Sequence, residues 1–272
     1  MKDLAGIGKL DRTRLSEVIR GTKGSVSVSE ASAILKLPPN ETAKILARWA
    51  KSGWLSRIKR GVYIPVPLES RTADISLEEP WVIAERLFAP CYIGGLSAAE
   101  HWGLTEQIFR SVSVMTAKRP RNRAPVIKGT KFVLRTVPSK AMFGLKPVWK
   151  GQVKVSVSDP SRTIIDMLDS PEVGGGIRPT ADIFAAYLKS DNPDMDLLLA
   201  YAKKKGKGSI YKRLGFLLER SAPEQAKALN TCRESISKGN SQLDPNVKGN
   251  VLITRWRLWV PDNWTVKREP KL

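Results

Sequence analysis

Residues 39–65 read PNETAKILARWAKSGWLSRIKRGVYIP and combine a helical pattern with a basic hairpin. In the first half, Ile45, Leu46 and Trp49 recur at helical spacing, while charged residues occupy the opposite face. In the second half, two short apolar runs flank a basic turn that contains a glycine, which is typical of a β-hairpin. The stretch therefore predicts a helix over 40–51 followed by a hairpin with a cationic tip.

Two shorter helices are predicted before this stretch, one over 11–20 and one over 30–35 that begins after Ser29 as its N-cap. Asn40 is the expected N-cap of the third helix. Three short helices followed by a basic hairpin predict a winged helix-turn-helix. In that arrangement the third helix enters the major groove of DNA, and the hairpin contacts the adjacent backbone or minor groove.

Side-chain chemistry divides the candidate DNA-binding residues into two groups. Lysine ammonium groups neutralise phosphates, whereas Asn40, Thr42 and Arg48 carry donors that suit base edges. The predicted DNA-binding residues are Asn40, Thr42, Lys44, Arg48, Lys51, Arg57, Lys59 and Arg60.

The charge balance also indicates a polyanionic partner. The chain of 272 residues has 46 Lys and Arg against 26 Asp and Glu, a formal net charge of +20. Residues 1–66 carry a net +8, residues 67–106 a net −5, and residues 107–158 contain twelve basic residues and no acidic one. Protein surfaces normally intersperse both signs, so a partner such as nucleic acid or an anionic membrane is expected.

Further phosphate contacts are predicted outside the winged helix. A second interpretation stays open for the lysine run that begins at Lys203, because cations at a helix C-terminus stabilise the helix by themselves. The further candidates are Arg119, Arg121, Arg123, Lys203, Lys204, Lys205 and Lys207.

The rest of the chain predicts an α+β protein with an N-terminal winged helix over 1–66, a linker over 67–80 and a larger mixed α/β domain over 81–272. Strands of antiparallel type are expected first, and a mostly helical second half follows. The predicted strands are 111–117, 131–137, 152–157 and 251–260. The predicted helices of this part are 80–87, one capped by Ser97, 160–168, 179–188, 194–204, 210–220 and 223–237.

Composition excludes several classes of protein. No apolar run approaches the roughly 20 residues of a membrane span, so a soluble cytoplasmic protein is expected. With two cysteines and one histidine, neither a disulfide framework nor a zinc site is expected. No cofactor is predicted.

No catalytic constellation is predicted either. His101 lies in an apolar helix, and Ser97 lacks the final glycine of a hydrolase nucleophile elbow. Asp194 and Asp196 have the spacing of paired metal ligands but lie at a predicted helix start, where acids are expected anyway.

The most site-like cluster is Asp159, Arg162, Thr163 and Asp166. Asp159 followed by a proline is the pattern of a helix N-cap, and Arg162 and Asp166 are i, i+4 neighbours that can pair. The structural interpretation is preferred, and a functional one stays open.

Four stretches together resemble a known family. They are RIKRGVY at 57–63, YIGGLSAAEHWGL at 92–104, VSDPSRTIID at 157–166 and YKRLGFLL at 211–218. In their order and spacing they resemble the AbiEi antitoxin family of bacterial type IV (abortive infection, AbiE-like) toxin-antitoxin systems.

The resemblance implies a transcriptional autorepressor whose winged helix binds inverted repeats of double-stranded DNA in its own promoter. It implies a C-terminal domain that opposes a nucleotidyltransferase-like toxin without a stable complex, at the nucleoid rather than at a membrane. Two alternatives are a nucleic-acid-processing enzyme that uses the winged helix for targeting, and a basic protein-interaction module.

Overall fold

The N-terminal part contains the predicted three helices and hairpin. The structure, a computed structural model, describes residues 6–22, 24–66, 80–150 and 153–265. Strands β1 and β2 both pair antiparallel with β3, and the sequence missed β1 because it has only two residues. The elements are α1 (Lys9–Gly21), β1 (Val26–Ser27), α2 (Val28–Leu35), α3 (Pro39–Lys51), β2 (Leu55–Lys59) and β3 (Val62–Pro65).

The start of α2 corrects one predicted cap. Ser27, not Ser29, caps this helix: its Oγ accepts the Glu30 N–H at 3.2 Å, and the Glu30 carboxylate accepts the Ser27 N–H at 3.0 Å. This reciprocal capping box needs the serine three residues before the glutamate, a spacing that Ser29 does not have.

The start of α3 corrects the second predicted cap, Asn40. Pro39 is already the first helical residue and Pro38 the N-cap, so Asn40 lies inside the first turn. Proline suits the first helical position because its missing N–H would have no partner there.

One apolar cluster holds the N-terminal elements together. Trp49 of α3 belongs to this cluster and is 1% exposed, and Trp54 packs against the cluster. Both tryptophans therefore belong to the core, as expected. The other buried members are Leu15, Val18, Val26, Ala31, Leu46, Leu55 and Tyr63.

The second part is built on a six-stranded sheet in the order β6-β7-β5-β4-β9-β8. The sequence missed β4, β6 and β8. The elements are α4 (Pro80–Phe88), β4 (Cys91–Ile93), α5 (Gly95–His101), β5 (Ser111–Thr116), β6 (Val126–Ile127), β7 (Thr130–Thr136), β8 (Leu145–Lys150) and β9 (Val153–Ser158).

This sheet is mixed, which corrects the expected antiparallel type. Strands β5 and β7 are parallel, as are β4 and β9, and the other neighbouring pairs are antiparallel. The chain runs back along the sheet over 117–127 before β7 begins, so β7 has the same direction as β5.

The second half is mostly helical, as predicted. The predicted final strand over 251–260 is two strands, separated by a 3₁₀ turn and by Arg257 at φ 50°. Strand β12 pairs with β10 in parallel and with β11 antiparallel. The elements are α6 (Pro160–Asp169), α7 (Ile177–Lys189), α8 (Met195–Lys205), α9 (Gly208–Ser221), α10 (Ala226–Glu234), β10 (Ser241–Gln242), β11 (Val251–Ile253) and β12 (Leu258–Val260).

The hairpin also contacts the second part. Ile64 of β3 is buried in the same apolar cluster as Val82 of α4 and Val155 of β9, and Glu30 of α2 pairs with Arg86 of α4. Of the predicted linker, residues 67–79 lie outside the described residues, and Pro80 begins α4. No described helix is long and apolar enough to cross a membrane.

Candidate nucleic-acid interface

Helix α3 presents a cationic face to solvent. Lys44, Arg48 and Lys51 are exposed, while Leu46 and Trp49 on the opposite face are buried. The helical spacing of the basic residues therefore places them together on the outer side of the helix.

The hairpin adds a second row of cations. Arg57, Lys59 and Arg60 are exposed, and Gly61 adopts φ +77° at the turn, where a side chain would be strained. We call the six cations of the helix and the hairpin the N-terminal cationic surface: Lys44, Arg48, Lys51, Arg57, Lys59 and Arg60. Within the described part of the chain, Arg48 is the member of this surface that forms an ion pair.

Two predicted base-reading residues differ in their placement. Thr42 is fully buried, with its Oγ1 3.5 Å from the Leu37 carbonyl oxygen, so its assignment to the interface is wrong. Thr42 belongs to the core side of α3, a position that the polar side chain alone did not reveal. Asn40 is exposed, and its Oδ1 accepts the Glu41 N–H at 3.0 Å.

Arg48 is held by an acidic residue of another helix. Its Nη2 donates to both carboxylate oxygens of Asp11, at 2.8 and 3.0 Å. The arginine side chain is 58% exposed and the aspartate 26%. Sequence reasoning missed the role of Asp11, because its partner Arg48 lies on a different helix. The available signal was an acidic residue on α1 within a strongly basic segment.

The connection between β5 and β6 carries three more exposed arginines, Arg119, Arg121 and Arg123. Backbone bonds fix this connection along β7: the Leu134 N–H donates to the Arg123 carbonyl at 2.8 Å. No ion pair of these three arginines is present in the described ranges.

The lysine run at the end of α8 divides into free and paired members. Lys203 and Lys204 are exposed, with the Lys204 Nζ 4.3 Å from the centroid of the Phe143 ring. The Lys205 side chain is 7% exposed and pairs with Asp166 at 2.8 Å, so its assignment as a phosphate contact is wrong. The buried carboxylate on α6 draws this ammonium inward.

Lys207 is half exposed and pairs with Asp169 at 2.6 Å. Burial alone would raise the pKa of the Asp169 carboxyl, but the hydrogen bond from Lys207 and the charges of Lys205 and Lys207 hold that pKa below its ordinary value. The charge of Lys207 is therefore largely compensated by Asp169 within the protein.

The predicted cluster on α6 is buried, and its charged side chains pair with one another. Arg162 is fully buried, and its Nε donates to Asp166 at 3.1 Å, while its Nη2 donates to the Tyr92 hydroxyl at 2.9 Å and to the Ala141 carbonyl at 2.8 Å. Burial raises the pKa of Tyr92 well above its usual value, and the Asp166 charge adds to this. We call Asp159, Arg162, Asp166, Asp169, Lys205 and Lys207 the α6 charge cluster.

Two local contacts and one tertiary contact of Asp159 complete this cluster. Asp159 caps α6 by accepting the Arg162 N–H at 2.7 Å, as predicted, and also accepts the Tyr201 hydroxyl at 2.7 Å. The Thr163 Oγ1 donates to the Asp159 carbonyl at 2.8 Å. Tyr92 of β4 and Tyr201 of α8 are distant from α6 in sequence, so no local pattern predicts their contacts with the cluster.

The residues considered for catalysis have structural surroundings. Ser97 lies inside α5 rather than capping it, and its Oγ accepts the Ser113 N–H at 2.9 Å, which extends the hydrogen bonding of β5 beyond the end of β4. The His101 ring lies between Trp81 and Trp102, and partial burial of this ring, together with the Lys150 charge, lowers its pKa.

The paired aspartates at 194 and 196 do not converge. Asp194 caps α8 through the Leu197 N–H at 2.8 Å, and Asp196 is exposed and faces Lys227 at 3.5 Å. Among the described residues, no group of three or more His, Cys, Asp or Glu side chains has the arrangement of a metal site.

Comparison with known proteins finds a family match in the N-terminal part of the chain. Residues 14–66, about a fifth of the chain, match a family model described as "Transcriptional regulator, AbiEi antitoxin". No curated protein matches the chain. The matched residues include α2, α3, the hairpin and every member of the N-terminal cationic surface, and they confirm over 14–66 the resemblance to the AbiEi antitoxin family of transcriptional regulators.

Proposed function

We propose that the chain is a sequence-specific DNA-binding transcriptional repressor that acts as the antitoxin of a type IV toxin-antitoxin system. The observation that carries the proposal is the N-terminal cationic surface, six exposed cations on one helix and one hairpin inside the segment that matches an antitoxin regulator family. Exposed cations with few internal partners remain available to phosphates.

In this proposal residues 1–66 form a winged helix whose α3 lies in the major groove. Arg48 and Asn40 reach base edges, while Lys44 and Lys51 contact phosphates beside the groove. The hairpin cations Arg57, Lys59 and Arg60 contact the adjacent backbone or the minor groove.

The remaining parts of the proposal concern the partner and the second domain. The second domain, which the structure describes from Pro80 at the start of α4, opposes a nucleotidyltransferase-like toxin without forming a stable complex. The DNA target is a set of inverted repeats in the protein's own promoter. The cytoplasm, at the nucleoid, is the proposed location. The proposal includes no catalytic activity. The family match at 14–66 supports this proposal.

Exposed cations of the second domain extend the proposed DNA contact. Arg119, Arg121 and Arg123 favour this role because backbone bonds to β7 hold their connection in place and no described acid pairs with them. The exposed lysines of the α8 end, Lys203, Lys204 and the partly paired Lys207, are weaker candidates.

The experiment measures binding to a duplex from the region directly upstream of the reading frame and to a scrambled duplex of equal composition. We expect tighter binding to the upstream duplex, with an affinity that falls steeply as salt increases, by about 0.9 log unit per log unit of salt for each phosphate contact. The double variant Arg48→Ala, Arg60→Ala should lose at least about tenfold in affinity for the upstream duplex.

A matched control removes the same charge elsewhere, at the exposed Lys189 and Lys248. Equal losses in both double variants would show that only net charge matters and would contradict the proposed interface. Equal affinity of the wild-type protein for the two duplexes would contradict sequence-specific binding. Binding that does not depend on salt would favour a protein-interaction module.

A further inference from the structure

Among the described residues, Asp11 is the acidic residue that directly contacts the N-terminal cationic surface. Asp11 of α1 holds Arg48 of α3 across 37 residues of sequence, through the arginine Nη2 alone. Asp11 lies outside the residues matched by the family model, whereas Arg48 lies inside them. The pair is therefore a feature of this chain that the family match does not account for.

The contact occupies the nitrogen that Arg48 needs to recognise a base. A guanidinium is planar and presents two forks of paired donors, Nε with Nη2 and Nη1 with Nη2. Either fork can bond a guanine at O6 and N7, and both forks include Nη2. While both Asp11 oxygens hold Nη2, the carboxylate competes with a base edge for the hydrogens that this nitrogen contributes to both forks.

The geometry also differs from that of a supporting carboxylate. An acid that orients an arginine toward DNA would bond Nε together with one Nη and leave the outer fork free. In this protein the Nε and Nη1 of Arg48 have no partner among the described residues, and Asp11 bonds neither.

The pair is weak enough to open. Exposed ion pairs contribute little to stability, and both side chains reach solvent, so a strong competing ligand can displace the carboxylate. A guanine edge and a phosphate can each accept two hydrogen bonds from a guanidinium, but the phosphate is an anion that the Asp11 carboxylate repels, whereas the guanine edge is neutral.

We propose that Asp11 is a specificity-determining residue that withholds Arg48 from phosphates and releases it to a base edge. This inference rests on the proposed DNA-binding function. On non-cognate DNA, Arg48 stays with Asp11 and adds no phosphate contact. On the cognate site, the bidentate base contact replaces the ion pair.

The experiment compares wild-type protein, Asp11→Ala and a matched control, Glu17→Ala, which removes an exposed acid from the same helix. Binding to the upstream duplex and to the scrambled duplex is measured over a series of salt concentrations, and melting curves verify that each variant is folded. Both substitutions are repeated in an Arg48→Ala background.

Asp11→Ala should tighten binding to the scrambled duplex by up to about fivefold, the range of an exposed ion pair. It should also steepen the salt dependence on that duplex by about 0.9, because Arg48 becomes one more phosphate contact. On the upstream duplex the salt dependence should not change. In the Arg48→Ala background the effect of Asp11→Ala should fall to that of Glu17→Ala.

Three results would overturn the inference alone, provided that the wild-type protein prefers the upstream duplex. These are weaker upstream binding by Asp11→Ala, an effect equal to that of Glu17→Ala, and an effect that survives undiminished without Arg48. The first would make Asp11 a support for Arg48 rather than a competitor. Wild-type protein that binds neither duplex would overturn both the inference and the proposed function.

Discussion

The N-terminal cationic surface and the α6 charge cluster look alike in sequence and differ in the structure. In both, basic residues lie on or beside a helix, and Lys205 and Lys207 of the cluster are predicted phosphate contacts just as Lys44 and Lys51 of the surface are. Lys44 and Lys51 face solvent without an acidic partner in the described chain, whereas Lys205 is 7% exposed and contacts two carboxylates. The difference lies in the acids that surround the bases, not in the bases.

The comparison shows how to decide which basic residues can bind a polyanion. On α6, Asp166 accepts Arg162 and Lys205, and Asp169 accepts Lys205 and Lys207, so the positive charge is neutralised within the fold. On α3 and the hairpin, Arg48 alone has such a partner among the residues that the structure describes. The positions of the basic residues in the sequence alone do not separate Lys205 and Lys207 from Lys44 and Lys51.

The largest expected effect comes from opening the α6 charge cluster. Arg162→Ala should lower the free energy of unfolding by about 3–5 kcal/mol, because it leaves the buried Asp166 with less compensating charge. Urea unfolding at pH 7 measures this change. Arg178→Ala, which removes an exposed arginine from α7, should change stability by less than about 0.5 kcal/mol. A loss below about 1 kcal/mol for Arg162→Ala would mean that the cluster does not hold the fold.

A pair of single substitutions tests the contrast directly. Lys205→Ala should cost about 1.5–3 kcal/mol of stability, because it removes a charged hydrogen-bond partner of Asp166, and it should leave the salt dependence of DNA binding unchanged. Lys44→Ala should do the opposite, with unchanged stability and a salt dependence reduced by about 0.9. Urea unfolding and salt titration of duplex binding are both needed, and the contrast fails if the two variants behave alike.

How far the sequence predicts these differences depends on whether a feature is local. Helix α3 and its hairpin were predictable because apolar spacing and turn chemistry lie within 39–65. The cap of α2 is predictable in kind, but the sequence offers both Ser27 and Ser29 near the helix start, and only Ser27 has the spacing that pairs it with Glu30. Thr42 was misplaced because a polar residue next to the exposed face can still be buried.

The missed features depend on distant residues or weak patterns. Strand β8 contains Pro147 and two lysines, a composition that argues against a strand, yet it pairs with β9 along its whole length as an edge strand. Whether Lys205 is exposed or paired depends on carboxylates of α6, and the pairing of Arg48 depends on an acidic residue of α1. Only the tertiary fold brings these groups together.

A smaller effect concerns the response of the α6 charge cluster to acid. The pKa of the folded Asp169 is lowered, so its contribution to stability is present above its ordinary pKa, near 4, and is lost as the pH falls through the lowered value. Asp169→Asn should be less stable than wild type by about 1–2 kcal/mol at pH 7. Urea unfolding at pH 7 and pH 3 should show this difference shrinking on acidification. A difference that does not depend on pH would contradict the ionic role.

The smallest expected effect separates exposure from availability within one helix turn. Lys203 and Lys204 are both exposed at the end of α8, but only Lys204 has its Nζ over an aromatic ring, at 4.3 Å from the Phe143 centroid. Lys204→Ala should cost about 0.5–1 kcal/mol, the range of an exposed cation–π contact, and Lys203→Ala should cost nothing measurable. Phe143→Leu removes this contact together with the contacts of the ring with Arg162 and Tyr201, so it should cost more, and Lys204→Ala should add no further loss when it is combined with Phe143→Leu. Additive losses would show that Lys204 is stabilising through its charge at the helix end, and its ammonium would then be as free for phosphates as that of Lys44.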